Sequence, residues 1–366
     1  MISLYIHIPF CIRKCDYCSF YSINSTDEIF EEYTNALINQ INSFHEYKRV
    51  KTIYFGGGTP SLIGADRLNR ILEAISYKFD ISQCEEITIE VNPKTSNLKD
   101  FLSLYQNGFN RLSIGLQSTN DNLLESIGRV HNYIDFLDTY NQALCAGFNN
   151  ISADLMYGLP YQTLSDHIDS VNKLIEFDIK HISMYALSIE PDTKMYKFRD
   201  SYSFPDEDEE FQMYISSSEI LQQNGFSHYE ISNFAKEGYE SKHNNGYWTG
   251  RNYLGFGTSA HSYYNNKRFS CNLDINTYIK NSKIFNDYFN FTDYLIQTPL
   301  TEKDLNDEKI MLGLRLKEGV ELNENQVRKA NIYINAGYMN KTNNKYHLTP
   351  SGWYISNSII ANILTE

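Results

Sequence analysis

No apolar stretch in these 366 residues reaches the roughly 18 needed to cross a bilayer as a helix, so nothing reads as a membrane span. A secretory signal is missing too: Met1 is followed within a few residues by a strand-like run, with no basic segment, apolar core or cleavage site ahead of it. A cytoplasmic location is the expectation. Positive charge is short, with 32 Lys plus Arg against 45 Asp plus Glu and a formal net charge of -13. That balance excludes a protein that coats nucleic acid, because neutralising phosphates takes an excess of cations. An anionic ligand would need a local basic pocket. Cysteines number only six, too few for a disulfide scaffold. There is no repeat of solenoid length and no low-complexity linker.

What is present is an alternation. Short β-branched runs occur at 3 to 9, 51 to 58, 86 to 92, 111 to 118, 150 to 158 and 181 to 189. Between them, apolar residues fall at helical spacing: Phe30, Tyr33, Leu37 and Ile41, then Leu68, Ile71, Leu72 and Ile75, then Ile168, Val171, Leu174 and Ile175. Gly108 and Gly147 stand where helix C-caps are expected. Strand alternating with helix predicts an α/β fold with a parallel sheet, either a barrel or doubly wound. In a parallel barrel the chemistry gathers at the C-terminal strand ends. Those ends carry Gly56, Gly57, Gly58 and Thr59, then Glu90 and Asn92, then Gln117, with Asp154 inside the fifth run.

From 190 to about 285 the pattern loosens, with an acidic run "DEDEE" at 206 to 210 that suits a solvated first helical turn. From Leu300 onward the sequence predicts a helix capped by Thr301 and Asp304, a hairpin around "NKTNNKYHLT", and a last helix opened by Thr349 and Pro350. This suggests a small winged-helix-like α+β module. Its eight Lys plus Arg balance eight Asp plus Glu, which disfavours DNA reading.

Half of the cysteines, Cys11, Cys15 and Cys18, sit in "CIRKCDYC" directly after the first strand. A structural zinc site normally closes with four ligands in two pairs, and no matching pair follows; His7 could be a fourth only by folding back along its own strand. A four-iron cubane held by three thiolates leaves one iron open to an external ligand, the reading the spacing favours over zinc or chance. Cys84, Cys145 and Cys271 have no ligand spacing around them.

The C-x3-C-x2-C window after a first strand and "GGGTP" after a second resemble the radical S-adenosylmethionine superfamily. The resemblance implies a partial (β/α)6 barrel, a 4Fe-4S cluster on Cys11, Cys15 and Cys18, and S-adenosylmethionine chelated at the open iron and cleaved there to a 5'-deoxyadenosyl radical. It also implies cofactor contacts from Tyr5, Tyr17, Gly57, Gly58, Thr59, Glu90, Gln117, Arg129, Asp154 and Ala186. Arg129 and Asp154 suit the role as polar anchors for a charged cofactor. Tyr17, with Phe20, would also shield the cluster.

Within that superfamily, "LYIHIPFC", "IEVNP", "RLSIGLQS", "ADLMYGLP", "YEISNFA" and "HNNGYW" resemble the branch that holds coproporphyrinogen dehydrogenases and HemW-type heme chaperones. The dehydrogenases of the branch carry a fourth cysteine one residue past the window and an N-terminal extension; here Phe20 stands at that place and the sequence starts at the first strand. Both departures resemble the heme chaperones. The resemblance then implies His243 as a heme ligand, with Tyr247 and Trp248 as an apolar wall, and places Lys242, Arg251 and Arg268 near enough in sequence to meet propionates. His261 is a weaker candidate. The expected organisation is a barrel over 1 to 200, an extension over 201 to 290 carrying "HNNGYW", and the C-terminal module over 291 to 366. Expected partners are heme, heme-accepting apoproteins, a flavodoxin- or ferredoxin-like electron donor and a second copy in a homodimer. The alternatives are radical decarboxylation of coproporphyrinogen III, or a non-catalytic zinc- or cluster-bearing interaction protein.

Overall fold

In a computed structural model the chain is described over residues 1–283, 287–288 and 300–365; the expected boundary at 290/291 lies outside them. All six expected strands form: β1 (Ile2–Ile8), β2 (Val50–Gly57), β3 (Glu86–Val91), β4 (Arg111–Gln117), β5 (Ile151–Tyr157) and β6 (His181–Ala186). Further strands are β7 (Ser227–Glu230), β8 (Asn233–Ala235), β9 (Tyr253–Phe256), β10 (His261–Tyr264) and β11 (Lys267–Ser270), then a separate hairpin of β12 (Met339–Thr342) and β13 (Lys345–Leu348). By contact the chain forms two compact units. One holds Met1–Asp154, Ser188–Tyr202 and Arg251–Pro299; the other holds Leu155–Leu187, Ser203–Gly250 and Leu300–Glu366.

In the first unit β1 pairs with β2, β2 with β3 and β3 with β4, all parallel, while β9 adds to the free edge of β1, also parallel. The alternation of β1 explains its two surfaces. Leu4, Ile6 and Ile8 are fully buried on one side, and Tyr5 and His7 stand on the other. Helix Asp27–Asn42 buries Phe30, Tyr33, Leu37 and Ile41, and helix Ala65–Lys78 buries Leu68, Ile71, Leu72 and Ile75, as the spacing predicts. Each such side chain removed from water stabilises by roughly 1.5 to 3 kcal/mol. Gly108 and Gly147 end their helices with positive φ of 101° and 104°, and the amides just beyond, on Phe109 and Phe148, bond back to Leu104 and Ala143.

In the second unit β8 pairs antiparallel with both β6 and β7. Helix Leu164–Ile175 corrects the expected face: its buried residues are His167, Ser170, Val171 and Leu174, while Ile168 and Ile175 are half-buried. Reading hydrophobicity alone overlooks a histidine that packs neutral against the Tyr157 ring, 6.0 Å between centroids. Burial lowers that histidine's pKa to about 4. The acidic run caps helix Glu207–Gln223, with Asp206 and Glu209 closing a reciprocal box. Thr301 and Asp304 do the same for helix Glu302–Gly313, and Thr349 caps helix Pro350–Tyr354.

Candidate functional site

The strands of the first unit present a polar inner face in two layers, set by register. Tyr5 pairs with Tyr54, Tyr54 with Thr88, and Thr88 with Arg111; one pleat further on, His7 pairs with Gly56 and Glu90 with Ser113. The Tyr54 hydroxyl donates to Glu90 Oε1 at 2.8 Å, and the Gly57 amide donates to Oε2 at 3.2 Å. Ser113 donates to Asp154 Oδ1 at 3.0 Å. Burial raises the Glu90 pKa to about 7 against those two hydrogen bonds, with the neighbouring Asp154 adding to the rise.

Above this face lies the cysteine loop. Gly58 N donates to Ile8 O and Thr59 N to Phe10 O, so the glycine turn after β2 runs directly beneath the start of the loop. A Cβ on Gly58 would stand 2.7 Å from the Phe10 carbonyl oxygen, and one on Gly57 2.7 Å from the His7 ring. Only glycine allows that approach. Cys11 Sγ lies 3.6 Å from Thr59 Oγ1. Between the second and third cysteines, Asp16 is buried: its carboxylate meets Lys194 Nζ at 2.8 Å, its amide bonds Ile127 O, and its carbonyl accepts the Met195 amide.

Arg129 joins the parts. Its Nη1 lies 3.5 Å from Cys15 Sγ, and its Nη2 donates to Asn92 Oδ1 at 2.6 Å and to Gly115 O at 2.9 Å. Asn92 passes the connection on by donating to Thr59 Oγ1 at 2.7 Å. The guanidinium Nε is buried with no hydrogen-bond partner. Burial opposes the charge on Arg129, yet Tyr17, Cys15 and Asp154 more than offset it and keep the group firmly protonated. Cys15, Thr59, Asn92, Thr95, Arg129 and His131 line a recess at this point. Burial raises the Cys18 pKa, helped by the other two thiols, and that of Tyr17, which lies within the field of Arg129, Cys15, Cys18 and Asp154. Gln117 ends β4 buried with φ of 72°, a left-handed backbone rare outside glycine.

Tyr5, Tyr17, Gly57, Gly58, Thr59, Glu90, Gln117, Arg129, Asp154 and the three cysteines thus belong to one unit. Ala186, His243, Tyr247 and Trp248 belong to the other. "HNNGYW" is helical: helix Lys242–Trp248 starts at the Ser241 cap, and His243 on it is 1% exposed. One turn along, Tyr247 Oη lies 2.9 Å from His243 Nε2, the rings edge to face. Of the cations near in sequence, Arg251 bonds Ser3 Oγ and Arg268 covers the Tyr263 ring.

Three residues of the first site escaped the sequence reading as ligands or anchors. Tyr54 and Ser113 could have been found from the period of two that puts them beside Glu90 and Asp154. Asn92 stood in view only as a strand end. His7, weighed as a fourth ligand, instead has its Nδ1 3.0 Å from Tyr5 Oη and its Nε2 3.4 Å from Tyr21 O. Burial lowers its pKa to about 4, so it is neutral.

This architecture is that of a known class. Residues 5–174 match the family model of the radical SAM superfamily. The solved structure of coproporphyrinogen III oxidase (HemN) from Escherichia coli, a radical SAM enzyme, superposes with a TM-score of 0.83, covering 99% of this chain and 90% of that one at 20% identity, which establishes the fold. The chain is 34% identical to the heme chaperone HemW of Lactococcus lactis over 100% of its own length and 97% of that protein, and 37% identical to the heme chaperone HemW of Bacillus subtilis over 87% and 85%. It belongs to the HemW family of radical SAM proteins.

Membership of the superfamily implies a 4Fe-4S cluster and S-adenosylmethionine. The residues at the recess fit both in their chemistry. Among the described residues no three His, Cys, Asp or Glu side chains gather to hold a single ion, whereas a cubane takes one thiolate per iron and needs no common point. The unpartnered Arg129 Nε and the side-chain-free glycine turn suit a small zwitterion.

Proposed function

We propose that the protein binds heme and delivers it to heme-requiring apoproteins, with a 4Fe-4S cluster and S-adenosylmethionine serving that task. The observation that carries this reading is the similarity to proteins named heme chaperone HemW from end to end of the chain, the second unit included. In this reading Cys11, Cys15 and Cys18 ligate the cluster. Tyr5, Tyr17, Gly57, Gly58, Thr59, Glu90, Gln117, Arg129 and Asp154 bind the cofactor, whose bound form supplies a one-electron-cleavable sulfonium. Arg129 and the Gly57 region hold its amino acid end, and Glu90 and Asp154 offer acceptors deeper on the inner face.

His243 is the heme ligand of this proposal, with Tyr247 and Trp248 against the macrocycle. Its Nε2 has to exchange the Tyr247 hydroxyl for iron, so binding includes a local rearrangement of the helix. A flavodoxin- or ferredoxin-like donor reduces the cluster, and a homodimer is the expected assembly. Six cysteines, too few for a disulfide scaffold, suit the reducing cytoplasm.

The test is a heme titration of anaerobically reconstituted protein, beside iron and sulfide counts. Four of each per chain, falling on Cys11→Ser, Cys15→Ser or Cys18→Ser but not on Cys145→Ser, is the result expected for the cluster. His243→Ala is expected to lose the heme Soret band, and binding equal to wild type removes the heme assignment. Conversion of coproporphyrinogen III to protoporphyrinogen with a reductant and the cofactor would overturn the chaperone reading.

A further inference from the structure

The stretch "YEISNFA" has no role in anything above, yet its first two residues address the two ends of helix Lys242–Trp248 separately. The Tyr229 hydroxyl lies 2.8 Å from His181 Nε2 and accepts the amide of Ser241 at 3.1 Å. Ser241 is the N-cap of that helix. Tyr229 therefore fixes where the helix begins.

Glu230 addresses the other end. It is fully buried at the end of β7, where its Oε1 accepts the Ser232 amide at 3.0 Å and the Asn233 side-chain amide in the turn to β8. Its Oε2 and the indole Nε1 of Trp248 are both buried with no other hydrogen-bond partner, and the indole N–H acts as the donor that favours the charged carboxylate. Arg315 supplies the opposite charge and lies over the Trp248 ring, 4.6 Å from guanidinium carbon to centroid. Its own Nε is buried and unpartnered. Backbone bonds hold it in place: Ile231 N donates to Arg315 O at 3.1 Å, and Lys317 N to Tyr229 O at 3.0 Å.

A buried carboxyl, indole N–H and guanidinium gather here around one ring, and each would cost about 1 to 3 kcal/mol in a protein interior if left without a partner. Such a cluster persists where a side chain must be held in one place by more than packing. We propose that Glu230 and Arg315 are positioning residues that clamp Trp248 and so set the orientation of the helix carrying His243 and Tyr247. This rests on the heme reading of "HNNGYW" for its consequence, though not for its geometry. The guanidinium fixes the plane of the indole by stacking, and the carboxyl fixes its rotation about that plane. Because Arg315 lies 67 positions beyond Trp248 in the sequence, no local pattern announces it.

The experiment uses full-length protein with Trp353→Phe, which leaves Trp248 as the one tryptophan of the two in the chain. Variants are Glu230→Gln, Arg315→Lys, Arg315→Met and the double Glu230→Gln/Arg315→Met, the last included because a buried carboxylate without its cation destabilises folding. In heme-free protein, Glu230→Gln and the double variant are expected to red-shift Trp248 emission and make it more accessible to acrylamide, with Arg315→Lys in between. In heme titrations the same variants bind about tenfold more weakly, the effect of losing one charged hydrogen bond, with a shifted Soret maximum that a change in folding stability alone would not produce. Unchanged Trp248 emission and quenching across the folded variants overturns the clamp. If the emission shifts as expected while wild type and His243→Ala bind heme alike, the clamp stands and the heme assignment falls.

Discussion

Asn92 Oδ1 and Arg129 Nη2 lie 2.6 Å apart, and that contact ties the guanidinium beside Cys15 to the hydroxyl of Thr59 beside Cys11. The asparagine spans the two because its amide offers an acceptor on one side and a donor on the other. Asn92→Ala leaves a buried hydroxyl and a buried guanidinium each short of a partner, so folding stability is expected to drop by about 1 to 3 kcal/mol. Arg129→Lys keeps the charge but cannot reach Cys15, Asn92 and Gly115 together. S-adenosylmethionine binding followed by calorimetry should weaken at least tenfold in Arg129→Lys while the iron count stays at wild type. Equal affinity would show that the fork geometry is immaterial.

Gly58 is tested by a single methyl group. Its φ is ordinary, so the objection to alanine is contact alone: the added carbon would meet the Phe10 carbonyl oxygen at 2.7 Å and nitrogen at 2.9 Å. Both are backbone atoms that cannot swing aside. Gly58→Ala should therefore lower the thermal midpoint by several degrees and push the cysteine loop off the turn. Faster loss of iron to a chelator is the readout. A midpoint and a loss rate like wild type would mean the loop has slack that the contacts do not suggest.

The parallel strands were legible because both their faces are covered, which leaves short β-branched runs that end where glycine or a cap begins. Every strand from β1 to β6 was recognisable in this way. The rim residues Thr59, Glu90, Gln117 and Asp154 followed from knowing which strand ends carry chemistry. Asp16 was not legible: a carboxylate between two cysteines reads as polarity on a loop, and only folding brings Lys194 to it. Helix Lys242–Trp248 was hidden for another reason, since two asparagines and a glycine in seven residues argue for a loop. Packing and the Ser241 cap override that preference.

Glu90 gives the site a pH dependence. Its folded pKa of about 7 stands above the ordinary 4.5, so the folded state holds the proton longer than the unfolded one. Its contribution is full below about pH 4.5, is lost as pH rises from there to about 7, and is absent above. Buried His7 works the other way, costing stability as pH falls from 6.5 towards about 4. The difference between wild type and Glu90→Gln isolates the carboxyl. In cofactor-free protein, urea melts from pH 4.5 to 8 should show the stability of the variant rising relative to wild type by up to about 3 kcal/mol. A difference that stays flat with pH would place the Glu90 pKa near its ordinary value.

Asp16 separates charge from shape in the cysteine loop. Its partner Lys194 keeps 54% of its side chain exposed, so the ion pair itself contributes little, under about 1 kcal/mol. What anchors the loop is the peptide backbone of Asp16, bonded to Ile127 on one side and Met195 on the other, with a buried side chain filling the space against Gly128. Asp16→Asn preserves that shape and should hold iron like wild type when challenged with a chelator at low and high salt. Asp16→Ala opens a void beside two ligands and should release iron several times faster. If Asp16→Asn released iron as fast as Asp16→Ala, the negative charge rather than the packing would be what keeps Cys15 and Cys18 in place.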